Sequence, residues 1–333
     1  MKQIIHIDKD SSVSKYRQII ASVGMAIASG QLKPGDKMPS INHLCKQWKL
    51  SRDTVLNAYY ELRSKGIISS APGKGFYVEK AQPHVEQNVF VLFDEINAFK
   101  EDLFQSFKAN LPPEITTEIF FHHFNPGLFR QLLDHNKGKY TTWVIMPANL
   151  VSAAQHIRNL PGRVVILDQW PQDLEADYAG VYQNFRKDTY EALLSGRQLL
   201  DRYNKLIMVH PGGKEPEGQF QGFLEYCHHT GTSHELINSL EGRKISAGEA
   251  YLVIWDRDLV WLVKQAAAKG LKLGKDLGLI SYNDTALKEV VASGITTIST
   301  DFRQMGQTLA CLVAENKTER IENPSRLIIR GSL

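Results

Sequence analysis

The spacing of hydrophobic positions changes along this chain of 333 residues. Up to about residue 66, apolar residues recur every three or four positions, which predicts short amphipathic helices. Beyond about residue 88, short apolar runs such as VVIL at 164–167 alternate with stretches of helical spacing. This second pattern predicts parallel sheets with helices on both faces. The chain is therefore predicted to be an α/β protein with a small helical head and a larger body.

The head is predicted to hold three helices and a hairpin. The first helix covers 11–30, and the next two begin after Ser40 and Ser51, which are good N-cap residues. Gly66 ends the third helix. The runs IISS and GFYVEK then predict two strands, joined by the flexible basic turn APGKG. Two helices joined by a tight turn form a helix-turn-helix, and the hairpin adds a wing.

The third helix is predicted to direct polar side chains outward, namely Arg52, Thr54, Asn57, Glu61 and Lys65. Arginine can pair with guanine edges or phosphates, asparagine can read adenine, and threonine can contact a thymine methyl group. Residues 1–80 hold 13 Lys and Arg against 6 Asp and Glu, whereas the rest of the chain holds 26 against 30. A basic head on a mildly acidic body indicates that the head binds a polyanion.

The run GDKMPSINHLCKQWKLSRDTVLNAYYELRSKGIISSAPGKGFYV resembles the winged helix-turn-helix of the GntR family of bacterial transcription regulators. The resemblance covers about 10–79. It departs at 41–43, where Ile-Asn-His replaces the acidic-basic pair that is common in the family. The resemblance and the residue chemistry together predict these DNA-binding residues: Lys37, Ser40, Asn42, Ser51, Arg52, Thr54, Asn57, Lys74 and Gly75.

The body is predicted to form two lobes around a cleft. We expect strands near 88–94, 116–121, 141–146, 163–167, 205–209, 251–254, 277–281 and 295–298. Helices are expected at 99–110, 128–135, 150–157, 185–202, 216–229 and 257–269. In such sheets ligands bind beyond the carboxyl ends of the strands. The predicted organisation is a DNA-binding domain over 1–80, a linker over 81–88 and a two-lobed domain over 89–333 that binds an effector and dimerises.

The order of short motifs in the body resembles the sugar-binding domain of the LacI family, which is itself similar to periplasmic sugar-binding proteins. The matching runs include VVILDQW, GQFQGFLEY and WDRDLVWLVKQAAAKGLKLGKDLGLISYNDT. Gln219 stands where the family usually has a sugar-clamping arginine, and Asn283 stands where it has an aspartate. By position, the predicted effector-binding residues are Asp94, Asn97, Gln183, Gln219, Trp255, Asp256, Asp258 and Asn283.

These patterns predict a cytoplasmic, sugar-responsive transcription regulator and not an enzyme. The resemblances imply a homodimer that binds double-stranded operator DNA and a monosaccharide effector (a pentose, a deoxyhexose or a hexose). We expect the sugar to release the DNA, which would make the protein a repressor, and the opposite sign of regulation stays open. Two alternatives stay open, namely an effector that is not a sugar and a body that only oligomerises. A third alternative, fusion to an aminotransferase-like domain that binds pyridoxal phosphate, would need a longer body.

Other chemical signals in the sequence are weak, and no catalytic residue, metal or cofactor is expected. HPGGKEPEG at 210–218 lacks the spacing of a phosphate-binding loop and is predicted to be a surface turn. The paired histidines at 122–123 and 228–229 have poor chelating geometry. Cys45, Cys227 and Cys311 lie far apart, as expected of thiols in a reducing compartment. No apolar run is long enough to span a bilayer.

Overall fold

The computed structural model describes residues 4–8, 14–28, 30–79, 88–137 and 139–333. The head contains the predicted elements: α1 (Lys15–Ala28), α2 (Ile41–Trp48), α3 (Arg52–Ser64), β1 (Ile68–Ala71) and β2 (Gly75–Val78). The two strands form an antiparallel hairpin. Most of the predicted linker, 81–87, lies outside the described residues, as do 11–13 and residue 29 of the first predicted helix.

Capping bonds and one aromatic residue fix the third helix of the head. The side chains of Ser40 and Ser51 each accept a hydrogen bond from a backbone N–H three residues later, which caps α2 and α3. Tyr59 of α3 is fully buried; its hydroxyl group donates to the Pro39 carbonyl at 2.6 Å, and its ring packs edge-on against Phe76 of the wing. Helix α3 is therefore held against both the turn before α2 and the hairpin.

The prediction that Glu61 lies on the outward face of α3 is wrong. Glu61 is only 7% exposed, and its carboxylate accepts a hydrogen bond from Lys65 at 2.6 Å. Position 61 lies three residues after Ala58 and one before Leu62, both of which are buried. The side chain at 61 therefore lies at the edge of the buried face of the helix. The outward face is therefore narrower than the sequence pattern indicates.

The body consists of two six-stranded sheets, each flanked by helices. The strands of the first sheet all run parallel and are β3 (Asn88–Phe93), β4 (Thr116–Phe121), β5 (Thr142–Ile145), β6 (Arg163–Asp168), β7 (Ala179–Tyr182) and β13 (Arg320–Glu322), in the order β13-β7-β6-β5-β3-β4. The strands of the second sheet are β8 (Lys205–Val209), β9 (His234–Ile237), β10 (Glu249–Val253), β11 (Leu277–Tyr282), β12 (Thr296–Thr300) and β14 (Ser325–Ile328), in the order β14-β12-β11-β10-β8-β9. Only β14 of this sheet is antiparallel to its neighbour.

Each sheet with its helices forms one lobe. Lobe I contains α4 (Ala98–Ala109), α5 (Pro126–Asn136), α6 (Ala153–Arg158) and α12 (Phe302–Ala314). Lobe II contains α7 (Phe185–Ser195), α8 (Arg197–Leu200), α9 (Glu217–Thr230), α10 (Asp256–Ala268) and α11 (Ala286–Val290). The eight predicted body strands are present. The helix predicted over 185–202 is two helices that meet at Gly196, where an added Cβ atom would lie 2.6 Å from the Leu327 side chain.

Within 139–333 the chain crosses between the lobes three times, at 183–184, at Asp301 and at 323–324. Hydrogen bonds tie these crossings together. The Asn323 side chain donates to the Thr300 hydroxyl and the Asp301 carbonyl, at 2.8 and 2.9 Å, and its backbone N–H donates to the Tyr182 carbonyl at 2.8 Å. The three crossings therefore form one compact hinge beside the cleft.

Candidate functional site

A cavity of about 270 Å³ lies between the lobes, at the carboxyl ends of strands from both sheets. The predicted residues that line it are Asp94, Asn97, Gln183, Gln219, Trp255, Asp256 and Asn283. The structure thus brings together seven of the eight side chains predicted to bind the effector. Asp258 does not line the cavity. It lies in the first turn of α10, beside Arg257 at 3.9 Å, and burial raises the pKa of its carboxyl group.

On the lobe I side, two carboxyl groups line the cavity, those of the buried Asp94 and the half-buried Asp168. Asp94 follows β3, and its carboxylate accepts hydrogen bonds from the Lys100 ammonium group and from the Glu95 backbone. Asp168 ends β6, and its carboxylate accepts a hydrogen bond from the Gln183 amide. Burial raises the pKa of Asp168, although the charge of Lys100 opposes this shift. Asp168 was not predicted as a site residue, although its position directly after an apolar strand is a detectable signal.

Asn97 lines the cavity but already has a structural task. Its side-chain oxygen accepts a hydrogen bond from the Lys100 backbone N–H at 3.1 Å, which makes Asn97 the N-cap of α4. The cap sets the first turn of α4, the turn that carries Lys100 back to Asp94. Asn97 therefore acts on the site through the position of Lys100.

On the lobe II side, the cavity wall combines amide and aromatic groups. Gln219 is 3% exposed, and its side-chain oxygen has no hydrogen-bond partner among the described residues. The indole N–H of Trp255 donates to Glu215 at 2.7 Å, and the Arg257 guanidinium lies 3.8 Å from the centre of the ring. Asp256 forms an ion pair with Lys288 at 2.9 Å. An aromatic ring beside planar polar groups is a common arrangement for holding a polyhydroxylated ligand.

Four non-glycine residues that line the cavity have left-handed backbone conformations. Their φ angles are +56° at Phe124, +50° at Ala148, +71° at Asp168 and +59° at Asn283. Each follows or ends a strand whose carboxyl end faces the cleft, namely β4, β5, β6 and β11. This conformation is unfavourable for residues with a Cβ atom, and it persists where the surrounding structure fixes it, often at binding sites. Four residues with this conformation thus surround one cavity of the body.

The segment 210–218 does form a turn, but the turn reaches the cleft and is not merely a surface feature. Lys214 belongs to lobe II, yet its ammonium group lies 2.8 Å from both carboxylate oxygens of Glu95 in lobe I. It also lies 4.8 Å from the centre of the Phe124 ring. In addition, the Asn149 amide of lobe I donates to the Gly213 carbonyl at 3.0 Å. The turn therefore bridges the mouth of the cleft, a role that the sequence did not reveal.

The predicted DNA-binding residues of the head fall into two groups. The first lies where α2 and α3 meet: Arg52 is exposed and donates to the Asn42 side chain at 3.4 Å, and the Thr54 hydroxyl bonds to that of Ser51 at 2.7 Å. Ser40 and Asn57 lie on the same two helices, as the N-cap of α2 and a partly buried residue of α3. Ser40 and Ser51 both serve as helix caps, and their hydroxyl oxygens accept backbone hydrogen bonds within the head.

The second group lies on the wing. Lys37 and Lys74 are exposed, and Gly75 has a φ of +112° that favours glycine. Lys37 reaches this group because its backbone pairs with Tyr77 of β2, which places its ammonium group 5.9 Å from the centre of the Tyr77 ring. The wing and the residue paired with it thus carry two exposed cations.

The described residues contain no cluster of His, Cys, Asp or Glu side chains that could hold a metal ion. None of the helices in that part of the chain has both the length and the apolar character needed to span a bilayer. His122 is fully buried and hydrogen-bonds to the Met146 carbonyl at 3.0 Å, and burial lowers its pKa. Its role is therefore structural.

Two family models match this chain. The model described as bacterial regulatory proteins of the gntR family matches 15–78, and the periplasmic binding protein-like domain matches 203–333. The transcriptional repressor YtrA of Bacillus subtilis (strain 168) is 39% identical over 77 residues, which are 23% of this chain and 59% of the relative. The arabinose metabolism transcriptional repressor of Geobacillus stearothermophilus is 35% identical over 75 residues, which are 22% of this chain and 21% of the relative.

This chain thus spans between about a fifth and three fifths of the length of these curated relatives. Among solved structures, a LacI family regulator from Enterococcus faecalis V583 with bound ribose superimposes with a TM-score of 0.60 at 20% identity, over 74% of this chain and 98% of that one. A periplasmic binding protein/LacI regulator from Alkaliphilus metalliredigens QYMF, complexed with D-xylulofuranose, gives a TM-score of 0.58 at 10% identity over the same shares. At such identities the likeness concerns the fold. The chain carries a GntR-family helix-turn-helix domain at its N-terminus, followed by a periplasmic binding protein-like domain with the fold found in LacI-family regulators.

Proposed function

We propose that this protein is a transcriptional repressor whose head binds operator DNA and whose cleft binds a monosaccharide that releases the DNA. The observation that carries the proposal is the cavity between the lobes, with carboxylate, amide and indole groups at the carboxyl ends of strands from both sheets. The GntR-type head and the domain that contains this cavity belong to one chain. In this proposal, one chain therefore binds both the ligand and the DNA.

The comparisons support the sugar but do not identify it. Two proteins of the same fold were solved with ribose and with D-xylulofuranose, and one relative of the head is named as a repressor of arabinose metabolism. A cavity of about 270 Å³ has room for one sugar ring. Pentoses, deoxyhexoses and hexoses all suit these dimensions.

For the DNA, we propose that Arg52, Asn42 and Thr54 approach base edges or phosphates, while Lys37 and Lys74 of the wing contact the backbone. A homodimer would present two such heads to a pseudo-palindromic operator, with half-sites one or two helical turns apart. The effector can release DNA only by the difference between its affinities for the two states, which is typically ~1–3 kcal/mol of coupling.

The experiment that tests this function starts from an operator selected by the purified protein from a pool of random DNA. Binding of the labelled operator is followed by fluorescence anisotropy while single sugars are added. We expect one class of sugar to lower operator affinity by about 5- to 150-fold, the range given by ~1–3 kcal/mol of coupling. Release by an amino acid or a nucleobase instead would retain the regulator and discard the sugar. Tight operator binding that no small molecule changes would leave a body that only oligomerises.

The cleft is located by a second step. Trp255→Ala should abolish release by the sugar without changing operator affinity, because Trp255 lines the cavity and belongs to lobe II, not to the head. The matched control is Trp261→Ala, a tryptophan of α10 that does not line the cavity. Equal loss of release in both variants would argue against the cleft as the effector site.

A further inference from the structure

We propose that the effector presents hydrogen-bond donors, as hydroxyl or ammonium groups, and carries no phosphate or carboxylate. This inference deepens the proposed function and rests on it, since it concerns the ligand of the same cleft. It divides sugars and sugar derivatives into two classes, neutral or amine-bearing on one side and anionic on the other.

The cavity lining contains more acidic than basic side chains. Five carboxyl groups line it, from Asp94, Glu95, Asp168, Glu215 and Asp256. Three lysines face them, namely Lys100, Lys214 and Lys288, and the lining contains no arginine. Negative groups thus outnumber positive ones in the wall. A wall of this sign attracts cations and repels anions.

Each lysine of the wall already forms an ion pair with a carboxylate. Lys100 binds Asp94, Lys214 binds both carboxylate oxygens of Glu95, and Lys288 binds Asp256. The Lys288 ammonium group also donates to the carbonyl oxygens of Tyr282 and Asn283, each at 2.8 Å. A phosphate group that recruited one of these lysines would leave its former partner without a cation. Breaking the buried pair of Lys100 and Asp94 in this way is strongly unfavourable, whereas the partly exposed pairs of Lys214 and Lys288 cost less to break.

The cavity wall also offers hydrogen-bond acceptors to a ligand. The side-chain oxygen of Gln219 is buried without a hydrogen-bond partner among the described residues, and Gln219 lines the cavity. An unpaired buried acceptor is costly, so it favours a ligand that brings a donor to it. Asp168 and Glu215 lack a lysine partner, and each accepts from a neutral side chain, Gln183 and Trp255 respectively. Hydroxyl and ammonium groups satisfy such acceptors, whereas the oxygens of an anion cannot.

The test compares sugars that share a ring and differ in one charged substituent. The probes are glucose, glucosamine, glucuronate and glucose 6-phosphate, with galactose and ribose in the same neutral and phosphorylated forms, and arabinose, xylose and fucose as further neutral sugars. Calorimetry measures affinity for the full-length protein, and operator release measures the response. We expect any binder to be a neutral or amino sugar, with its anionic counterpart at least tenfold weaker.

Two failures are distinguishable. An anionic sugar that binds more tightly than its neutral parent and releases the operator would overturn this inference while supporting the proposed function. If none of the probes binds and none releases the operator, the proposed sugar effector fails and the inference fails with it.

A variant at Asp168 shows which donor group of the ligand binds this carboxylate. Asp168→Asn keeps the shape of the side chain and removes its charge, and the matched control is Asp177→Asn, an exposed residue of the same lobe outside the cavity. We expect Asp168→Asn to lower the affinity for the sugar at least tenfold and Asp177→Asn to leave this affinity unchanged. A larger loss for glucosamine than for glucose would assign an ammonium group to Asp168, and similar losses would assign a hydroxyl group. Improved binding of neutral and amino sugars by Asp168→Asn would contradict the inference.

Discussion

At the residue scale, the carboxyl group of Asp188 near the hinge is buried without complete hydrogen bonding among the described residues. It is 8% exposed, and one of its oxygens has no hydrogen-bond partner among the described residues. Burial, assisted by the charge of Glu322, raises the pKa of Asp188 to about 7, and Glu322 is next to the hinge residue Asn323. The folded protein therefore binds a proton at this carboxyl group that the unfolded chain releases above pH 4.

This proton makes stability depend on pH. Because the folded-state pKa is raised, the contribution of the group to the free energy of unfolding is complete below pH 4 and is lost as pH rises through about 7. Asp188→Asn mimics the protonated group, so the stability of the variant relative to wild type should rise between pH 5 and pH 8 in urea unfolding. We expect this rise to be on the order of 2 kcal/mol, because wild type loses the proton over this range. An unchanged difference between pH 5 and pH 8 would contradict this assignment.

Arg52 gives a second prediction at the same scale. Its guanidinium is exposed at the start of α3 and donates a long hydrogen bond of 3.4 Å to Asn42, so it is available to guanine edges or phosphates. Arg52→Ala should weaken operator binding by ~1–3 kcal/mol, measured by anisotropy, while the melting temperature stays unchanged. The control is Arg158→Ala, an arginine of lobe I that binds Glu175. Unaltered operator affinity in Arg52→Ala would remove α3 from the proposed interface.

At the scale of elements, α7 and α9 of lobe II pack closely against each other. A Cβ atom at Gly222 of α9 would lie 2.1 Å from the Arg186 carbonyl oxygen of α7, and one at Gly218 would lie 2.9 Å from the Arg186 nitrogen. Two glycines one helical turn apart thus let the backbones of the two helices touch. Because α7 follows the first crossing of the hinge, this contact fixes where lobe II begins.

Gly222→Ala should therefore destabilise the body by about 1–3 kcal/mol, because the helices must separate to admit the methyl group. The matched control is Gly24→Ala in α1, where nothing lies within 4 Å of an added Cβ atom. Alanine favours helix there and should be neutral or stabilising by up to about 1 kcal/mol. Thermal unfolding measures both variants. Equal stability of Gly222→Ala and wild type would show that α7 and α9 can separate without cost.

At the scale of the whole molecule, the lobes are held at two places. The hinge joins them covalently on one side of the cleft, and the turn 210–218 closes the other side through Lys214. The ion pair of Lys214 with Glu95 is about one third exposed on each partner. Such a pair contributes only about 0.2–1 kcal/mol, which is enough to bias an equilibrium between open and closed lobes without locking it.

Charge reversal tests this closure. Lys214→Glu and Glu95→Lys should each open the cleft, and the double variant should restore it, because the pair is recreated with opposite signs. Hydrogen exchange of the backbone in 211–216 should accelerate about two- to fivefold in each single variant, in line with ~0.5–1 kcal/mol. Both single variants exchanging at the wild-type rate would show that the pair does not close the cleft.

How much of this protein the sequence determined differs between head and body. In the head, local signals sufficed: the caps at Ser40 and Ser51 and the hairpin glycines act within a few residues, and each element formed where it was predicted. In the body, apolar runs buried on both faces of a sheet predicted most of the central strands. The interior strand β7 and the edge strands β9, β13 and β14 were missed, because short segments such as AGVY and RIE are defined by pairing with their neighbours and not by their own pattern.

For the site, the sequence determined which residues follow the strands, and topology then gathered seven of the eight predicted side chains in one cavity. Only the tertiary structure decided which partners those side chains have. Lys100 meets Asp94 within one lobe, whereas Lys214 meets Glu95, 119 positions away, across the cleft. Such pairs depend on how two sheets come to face each other. That arrangement is set by three distant chain crossings, and no local pattern of residues encodes it.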